Sequence, residues 1–273
     1  MDGREQAGAV FVGRHHELGT LLEGLDSAVA GRGRLILVAG EPGIGKSRLA
    51  DELARTARER GVGVLWGRGW EDAGAPAYWP WVQAIRAELR AESPDTIRGY
   101  LGSGAADVAQ MLPELRTIVP GLEPPTAGAE TARFQLFDAT TTFLRNAARE
   151  RGLLVVLDDL QAADTPSVLL LQFLASQLSD MRILLVATYR DVELTPEHPL
   201  TSALAELARE PAVRVIQLRG LEADAVAKVI GAAADTTPTD RLAAVVWRAT
   251  NGNPLFIGEA IRLLESEGRL EEI

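Results

Sequence analysis

The stretch that decides the fold is LILVAGEPGIGKS, residues 35–47. It begins with the apolar run Leu35–Ala39, continues as a glycine-rich turn, and leads into a helical pattern from Ser47. The turn has the spacing Gly-x-x-x-x-Gly-Lys-Ser, with Gly40, Gly45, Lys46 and Ser47 at the fixed positions. Because glycine has no Cβ, such a turn brings backbone N–H groups close to phosphate oxygens. The stretch therefore predicts a strand, a phosphate-binding loop and a helix.

Each polar group of this loop has an expected task in binding ATP with Mg²⁺. The Lys46 ammonium should reach the β- and γ-phosphates, and the Ser47 hydroxyl should ligate the metal. Lys46 and Lys228 are the two lysines of the chain, and a guanidinium is a poor substitute for an ammonium here. A glycine turn that binds nothing is the alternative, but the complete motif in strand–helix context favours the nucleotide. The expected nucleotide contacts are Gly40, Pro42, Gly43, Ile44, Gly45, Lys46, Ser47 and Arg48.

Two carboxylates follow a second apolar run, LLVVLDD, residues 153–159. The carboxyl ends of parallel strands are where open α/β sheets build their sites. We expect Asp158 to be the Mg²⁺ partner and Asp159 to orient or deprotonate the attacking water. Alternatively, one of the two caps the next helix, although Asp164 is the better candidate for that cap.

A third apolar run, ILLVAT at residues 183–188, is followed by Tyr189, Arg190 and Asp191. A polar side chain at such a strand end can reach the γ-phosphate, so Arg190 is the candidate sensor and a catalytic residue. The alternative is a surface arginine paired with Asp191.

The rest of the chain indicates a doubly wound α/β domain followed by helices. The five predicted strands are Leu35–Ala39, Val62–Trp66, Leu153–Leu157, Ile183–Thr188 and Val213–Leu218, all short apolar runs typical of buried parallel strands. The helices predicted around them are Glu17–Ala30, Ser47–Arg60, Thr131–Arg149 and Ser167–Leu178. Residues 67–130 are less regular and are expected to form an insertion with one or two helices. Its AYWPW cluster, residues 77–81, is assigned to core or interface packing, and the alternative is a surface that binds a ligand or stacks on a base.

The predicted domain boundaries are a disordered tail over 1–9, the α/β domain over 10–219 and a helical lid over 220–273. The lid should hold three helices, Glu222–Ala233, Thr239–Ala249 and Pro254–Glu267. Proline is favourable at the first position of the last one, because no helical partner awaits its missing N–H. No further domain is visible after the lid, so the chain is expected to be a fragment or a single module.

Composition limits the function classes. The formal net charge of −10 over 273 residues argues against a dominant nucleic-acid surface. The chain has no cysteine, which excludes disulfides and thiolate chemistry and fits a cytoplasmic location. No apolar run is long enough to cross a bilayer, so no membrane partner is expected. His15, His16 and His198 have no spaced metal partners, so no metal beyond Mg²⁺ is predicted.

The three motifs GEPGIGKS, LLVVLDD and LLVATYRD resemble the ATPase module of the STAND class of AAA+-related signalling NTPases. The likeness is greatest to large LuxR-type transcriptional regulators and their adenylate-cyclase-linked relatives. FVGRHHEL, residues 11–18, is similar to the entry segment of that family, and GNPLF, residues 252–256, to its Gly-x-Pro motif. The likeness covers about residues 10–267. One departure is Gln161-Ala162, where many relatives carry His-Trp after the paired acids.

The resemblance implies a five-stranded parallel sheet with a strand between the phosphate-loop strand and the acidic strand. It also implies a helical lid and slow, regulated ATP turnover. Val12 would pack on adenine, Arg14 would fix the entry segment, and Pro254 would close the base pocket. The γ-phosphate role of Arg190 follows from the same resemblance.

The predicted function is therefore an ATP-binding and hydrolysing nucleotide switch of a signalling or transcriptional regulator. The expected partners are ATP and ADP, fused or separate regulatory and output domains, and a second copy through self-association. One alternative is a P-loop kinase of small molecules, which the acidic lid disfavours. The other is an AAA+-type DNA-associated ATPase, which the net charge disfavours.

Overall fold

A parallel β-sheet forms the centre of the molecule in the computed structural model, which describes residues 11–71, 74, 76–123, 128–234 and 237–267. Its strands are β1 Arg34–Ala39, β2 Gly63–Arg68, β3 Leu153–Asp158, β4 Ile183–Tyr189 and β5 Val213–Gln217. They lie in the order β2-β3-β4-β1-β5, all parallel. The predicted fold, with β4 inserted between the loop strand and the acidic strand, is confirmed. The predicted tail over 1–9 lies outside the described residues.

The three central strands are continuous apolar runs because both faces of the sheet are covered. Alternate side chains of each strand enter two separate cores. One core takes Leu35, Leu37, Leu153, Val155, Leu185 and Ala187, and the other takes Ile36, Val38, Leu154, Val156, Leu184 and Val186. Apolar residues are therefore needed at every position, which explains the absence of alternation in the sequence.

Strand β5 is an exception to the predicted burial. It lies at the edge of the sheet, beside β1 only, and Arg214, Val215 and Gln217 are exposed. An edge strand is covered less completely, so its side chains need not all be apolar. The expectation of a fully buried strand over Val213–Leu218 is wrong in this respect.

Helices cover both faces of the sheet. The face of the second core carries α1 His15–Val29 and α2 Lys46–Glu59. The opposite face carries α7 Ala129–Ala147, α8 Thr165–Ala175 and α9 Pro199–Leu207. Asp164 caps α8 as predicted, since its Oδ1 accepts a hydrogen bond from the Ser167 N–H at 2.9 Å.

The insertion between β2 and α7 contains more helices than predicted. They are α3 Trp79–Ala91, α4 Pro94–Leu101, α5 Ala105–Val108 and α6 Leu115–Ile118. Helices α5 and α6 are single turns, which are too short to show a helical period in the sequence. Trp81 is completely buried, and its indole N–H donates to the Ser167 carbonyl at 3.0 Å, so this member of the aromatic cluster anchors the insertion to α8.

Three C-terminal helices follow the sheet, α10 Ala223–Ala234, α11 Asp240–Thr250 and α12 Pro254–Ser266. Each predicted lid helix agrees with them to within one residue at both ends. Their apolar faces form a small core of their own, which includes Val226, Val246 and Ile257. We call α10–α12 the lid.

The end of β2 runs unusually close to the start of α3. A Cβ atom at Gly67 would lie 1.8 Å from the Pro80 carbonyl oxygen, which only glycine avoids. This contact fixes the position of Arg68, the next residue.

We expect Gly67→Ala to lower the free energy of unfolding by about 1–3 kcal/mol, because β2 and α3 must move apart. Gly99→Ala is the matched control, since a Cβ there has no neighbour within 4 Å and Gly99 lies inside α4. The control should be more stable than the original protein by about 0.5–1 kcal/mol. Urea unfolding of the three proteins measures both changes. Equal stability of the two variants would contradict the close approach.

Candidate functional site

The glycine-rich loop between β1 and α2 closes on the side chain of Lys46. The Lys46 Nζ donates to the carbonyl oxygens of Gly40 at 2.8 Å and Glu41 at 3.0 Å. The side chain is buried, and burial lowers its pKa although Asp159 counteracts the effect. The ammonium thus lies inside the loop, where an incoming phosphate could exchange for the two carbonyls.

Asp158 is held by hydroxyl groups from two neighbouring elements. The Ser47 Oγ donates to the two carboxylate oxygens at 3.0 and 2.9 Å, and the Thr188 Oγ1 donates to Oδ1 at 2.6 Å. The parallel register of β3 and β4 places Thr188 here. The sequence analysis did not assign Thr188 to the site, although the strand order implied by the family resemblance would have indicated it. Hydroxyl and carboxylate oxygens are ligands that Mg²⁺ prefers, so this donor set fits the predicted metal.

The Asp158 carboxylate lies in an unfavourable electrostatic environment. The residue is 2% exposed, and burial raises its pKa, with the charge of Asp159 acting in the same direction. The hydrogen bonds from Thr188 and Ser47 offset part of this effect. A divalent cation would lower the pKa of Asp158 further, because a positive charge favours the ionised carboxylate.

Asp159 occupies a different environment although it is the next residue. Its backbone is left-handed, with φ 57°, and its N–H donates to the Thr188 Oγ1 at 3.0 Å. The side chain accepts hydrogen bonds from the Arg68 Nε at 2.9 Å and the Gln161 Nε2 at 3.2 Å, and the Arg190 Nε lies 3.6 Å away. Burial opposes ionisation, but these partners outweigh it and lower the pKa of Asp159. The carboxylate is therefore charged and held in place.

Arg68 is a site residue that the sequence analysis missed. The parallel register pairs it with Asp158 across β2 and β3, so its side chain lies beside both acids. It forms a hydrogen-bonded ion pair with Asp159 and lies 3.8 Å from the Asp158 Oδ2. The sequence contains a signal for it, because a charged residue ends an apolar strand next to the acidic strand.

Arg190 lies at the same edge of the sheet, at the end of β4. Its guanidinium is bonded to Glu71 at 2.8 Å and Glu193 at 2.9 Å, besides its approach to Asp159. Asp191 instead accepts a hydrogen bond from the Gln217 side chain at 2.7 Å. The alternative of a surface pair between Arg190 and Asp191 is therefore not what the structure contains. The predicted γ-phosphate role stays a prediction.

The entry segment lies between the phosphate loop and the lid. The Arg14 guanidinium donates to the carbonyl oxygens of Ile44 at 3.0 Å and Arg219 at 2.6 Å, and it is buried. A Cβ at Gly13 would lie 2.6 Å from the Ala225 Cβ on α10. Arg14 therefore fastens the segment to protein carbonyls, and Val12 beside it is half-buried. Its predicted contact with adenine stays a prediction.

The first residues of α12 touch the phosphate loop directly. The Asn253 Nδ2 donates to the Pro42 carbonyl at 3.0 Å, and the Leu255 N–H donates to the Gly43 carbonyl at 3.3 Å. Gly43 has φ 75°, and a Cβ there would lie 2.5 Å from the Leu255 Cβ, so only glycine permits this contact. Asn253 was missed by the sequence analysis, although it lies inside the motif quoted for the lid.

The structure brings the predicted site residues together in two groups. Lys46, Ser47, Asp158, Asp159 and Arg190 meet at the carboxyl ends of β1, β3 and β4. Val12, Arg14 and Pro254 lie on the lid side of the loop, with the Pro254 Cγ 4.0 Å from a Cβ built on Gly45. Arg48 is half-buried in the first turn of α2.

The described residues contain no cluster of three or more His, Cys, Asp or Glu side chains that could hold a metal ion. The predicted Mg²⁺ site uses one carboxylate and hydroxyls, so it would not form such a cluster. None of the described helices has the length and apolarity required to cross a membrane.

Several solved structures are similar to this chain, and the two described first, with TM-scores above 0.5, share its fold. Cdc6p from Pyrobaculum aerophilum is 16% identical over 94% of this chain and 63% of its own, with a TM-score of 0.54. The replication initiator DnaA bound to AMPPCP and single-stranded DNA is 13% identical over 95% of this chain and 63% of its own, with a TM-score of 0.51. A signal transduction ATPase with a tetratricopeptide repeat sensor from Pyrococcus horikoshii is 16% identical over 92% of this chain and 30% of its own, with a TM-score of 0.49. The chain thus spans between about a third and two thirds of these proteins.

A search of curated proteins found no significant match. The family model described as an AAA ATPase domain matches residues 10–186. That stretch includes the phosphate loop, the paired acids and most of β4. The predicted AAA+-related module is confirmed, and because the match covers more than half of the chain, the protein belongs to the AAA ATPase domain family.

Proposed function

We propose that this chain is an ATP-binding and hydrolysing nucleotide switch of a larger signalling or transcriptional regulator. The observation that carries the proposal is the contact between the start of α12 and the phosphate loop. The Pro42 and Gly43 carbonyls of that loop accept hydrogen bonds from the lid side, while Lys46 of the same loop would bond the phosphates. A change in the loop on nucleotide binding is therefore transmitted to the lid through a direct hydrogen-bonded contact.

In this proposal, phosphate binding exchanges one set of partners for another. The Lys46 ammonium leaves the Gly40 and Glu41 carbonyls and bonds the β- and γ-phosphates. Ser47 and Asp158 would hold Mg²⁺, with the Thr188 hydroxyl keeping the carboxylate in position. When bound, the metal supplies positive charge that offsets the charge of the phosphates and of the buried carboxylate.

Hydrolysis requires a base beside the γ-phosphate, and Asp159 is the group that the site offers. A water oxygen bonds the γ-phosphorus, the bond from that phosphorus to the β,γ-bridging oxygen breaks, and the water proton passes to the Asp159 carboxylate. The products are ADP and inorganic phosphate. Asp159 is tied to Arg68 in the described state, so that pair must loosen for the carboxylate to accept a proton. This need fits a slow, regulated turnover.

The adenine ring of the nucleotide would lie on the lid side of the loop, between Val12 and Pro254, and Arg14 would fix the entry segment. Arg190 would exchange Glu71 or Glu193 for the γ-phosphate. ATP and ADP would then differ in the bonds that Arg190 makes, and the lid would report the difference. Fused or separate regulatory and output domains, and a second copy of the chain, are the partners that such a switch would act on.

Lys46→Ala should weaken ATP binding by at least about 100-fold, because it removes charge-assisted bonds to two phosphates. Lys228→Ala is the matched control, since it removes the other lysine of the chain from an exposed position on α10. Calorimetric titration of Mg·ATP gives both affinities, and thermal unfolding checks that the fold is kept. Unchanged affinity in Lys46→Ala would contradict the assignment of the phosphate site.

Asp159→Asn should still bind Mg·ATP within about threefold but release phosphate about 100-fold more slowly, since general bases contribute roughly 10²–10⁴ in rate. The change adds no backbone strain, because asparagine accepts the left-handed conformation of this position. Asp191→Asn, with the same charge change near the site, is the control. A phosphate-release assay distinguishes them, and equal rates in the two variants would move the catalytic role away from Asp159.

Arg190→Ala should weaken ATP by about 1.5–3 kcal/mol, the value of a hydrogen bond to a charged group, and leave ADP affinity level. Only ATP carries the γ-phosphate, so the variant should also lose the difference in protease sensitivity of the lid between its ATP-bound and ADP-bound states. Arg209→Ala, an exposed arginine after α9, is the control. Equal losses of ATP and ADP affinity, or a lid that still responds fully to ATP, would remove Arg190 as the sensor.

A further inference from the structure

The insertion forms a cavity that is open to solvent on one side and shares no lining residue with the nucleotide site. It has a volume of about 670 Å³ and lies between the start of α3, the α5–α6 connection and the start of α7. This volume is in the range of small-molecule sites. Val82, Met111 and Leu136 are buried side chains that line it. The cavity therefore offers an apolar surface to an occupant.

The charged side chains that line the cavity are both cationic. Arg86 and Arg133 both line it, together with the ring of Tyr78. Glu114 pairs with Arg86, while the described residues give Arg133 no carboxylate partner and place its guanidinium 5.9 Å from the Phe134 ring. In the described part of the chain, the two guanidinium groups therefore have one carboxylate partner between them, which leaves a net positive charge at the cavity. Tyr78 and Trp79 add aromatic faces, which suit a flat apolar body.

We propose that this cavity binds a small aromatic anion, such as a carboxylate, and that the ligand acts on the nucleotide site. An aromatic body matches the apolar and aromatic lining, and a carboxylate matches the guanidinium of Arg133. Arg133 is exposed to water, so a neutral ligand of the same shape would lose only the charge-assisted bond to this guanidinium and would bind more weakly.

Contacts among the described residues between β2 and α3 connect the cavity to the acidic strand end. The Tyr78 N–H donates to the Asp164 carboxylate at 3.1 Å, and the Trp79 ring meets the Trp70 ring edge to face at 6.1 Å. The Gly69 N–H, next to Trp70, donates to the Asp158 carbonyl at 2.8 Å.

Arg68, which holds Asp159, lies two residues before Trp70, and the Trp70 N–H donates to the Ala162 carbonyl at 3.2 Å. A ligand that moves the Trp79 ring would therefore act on Trp70, whose backbone neighbours bond both acids. Since binding coupling is reciprocal, ATP and the anion should each change the affinity of the protein for the other.

The test uses 1-naphthoate as the probe and 1-naphthalenemethanol as its neutral isostere, titrated calorimetrically into the nucleotide-free protein. One naphthoate should bind per chain, and the alcohol should bind about threefold more weakly, because it lacks the charge-assisted bond to an exposed guanidinium. Ala132→Trp, which fills the cavity, should abolish binding, and Arg133→Ala should weaken it by about threefold as well. Arg116→Ala removes an exposed arginine on α6 that does not line the cavity, and it should have no effect.

The coupling is tested by titrating Mg·ATP with and without saturating naphthoate. We expect the ATP affinity to change at least about threefold in the original protein and not at all in Ala132→Trp, whose thermal midpoint and basal ATP affinity should be normal. Absence of saturable naphthoate binding, equal binding of the alcohol, or binding that survives both cavity variants would overturn the site. Binding without any effect on ATP affinity would overturn its role as an effector site. The Lys46→Ala variant should bind naphthoate like the original protein. A failure of the proposed ATP site would leave this binding unchanged, so it can be told apart from a failure of the cavity site.

Discussion

The hydrogen bonds to the buried Asp158 carboxylate determine how the candidate site is arranged. Asp158 ends β3, receives the Ser47 hydroxyl from α2 and the Thr188 hydroxyl from β4, and so connects three elements at one edge of the sheet. The two apolar cores bring these elements into register, but the polar contact fixes where the phosphate loop lies against the acids. A buried carboxylate is tolerated at this position because two donors reach it.

The paired acids differ because their surroundings differ. Burial raises the pKa of Asp158, so its charge destabilises the nucleotide-free fold increasingly as the pH rises through its titration range. Burial also opposes the charge of Asp159, but Arg68, Gln161 and Arg190 lower its pKa, so its contribution to stability is present at neutral pH and is lost as the pH falls. Asp158 is therefore suited to binding a cation that stabilises its charge. Asp159 is suited to staying charged until its arginine partners move.

The sequence was sufficient for the elements that depend on local pattern and insufficient for those that depend on distant contacts. Apolar runs and the glycine spacing predicted the five strands and the loop, and the lid helices agreed to within one residue. Arg68, Thr188 and Asn253 were missed, because each reaches the site only through strand register or lid packing. The one-turn helices α5 and α6 were missed because four residues cannot show a period. The contacts of Arg68, Thr188 and Asn253 join positions that lie 91, 30 and 211 apart in the sequence, where a local pattern carries no information on distance.

The phosphate loop and the acids are contacted from two independent sides. The lid reaches the loop through Asn253 and Leu255, and the insertion reaches the acids through Gly69 and Arg68. The lid has a small core of its own, and the insertion packs on the face of the sheet opposite to α1 and α2. A change in the lid can therefore alter the site without a change in the insertion, and the reverse also holds. In the proposed function, a bound nucleotide would use backbone and charged groups that take part in both contacts. The nucleotide would then compete with two separate sets of bonds or reinforce them. A nucleotide-bound and a nucleotide-free state would each respond to the lid and to the insertion, in proportion to the difference in affinity between the two states.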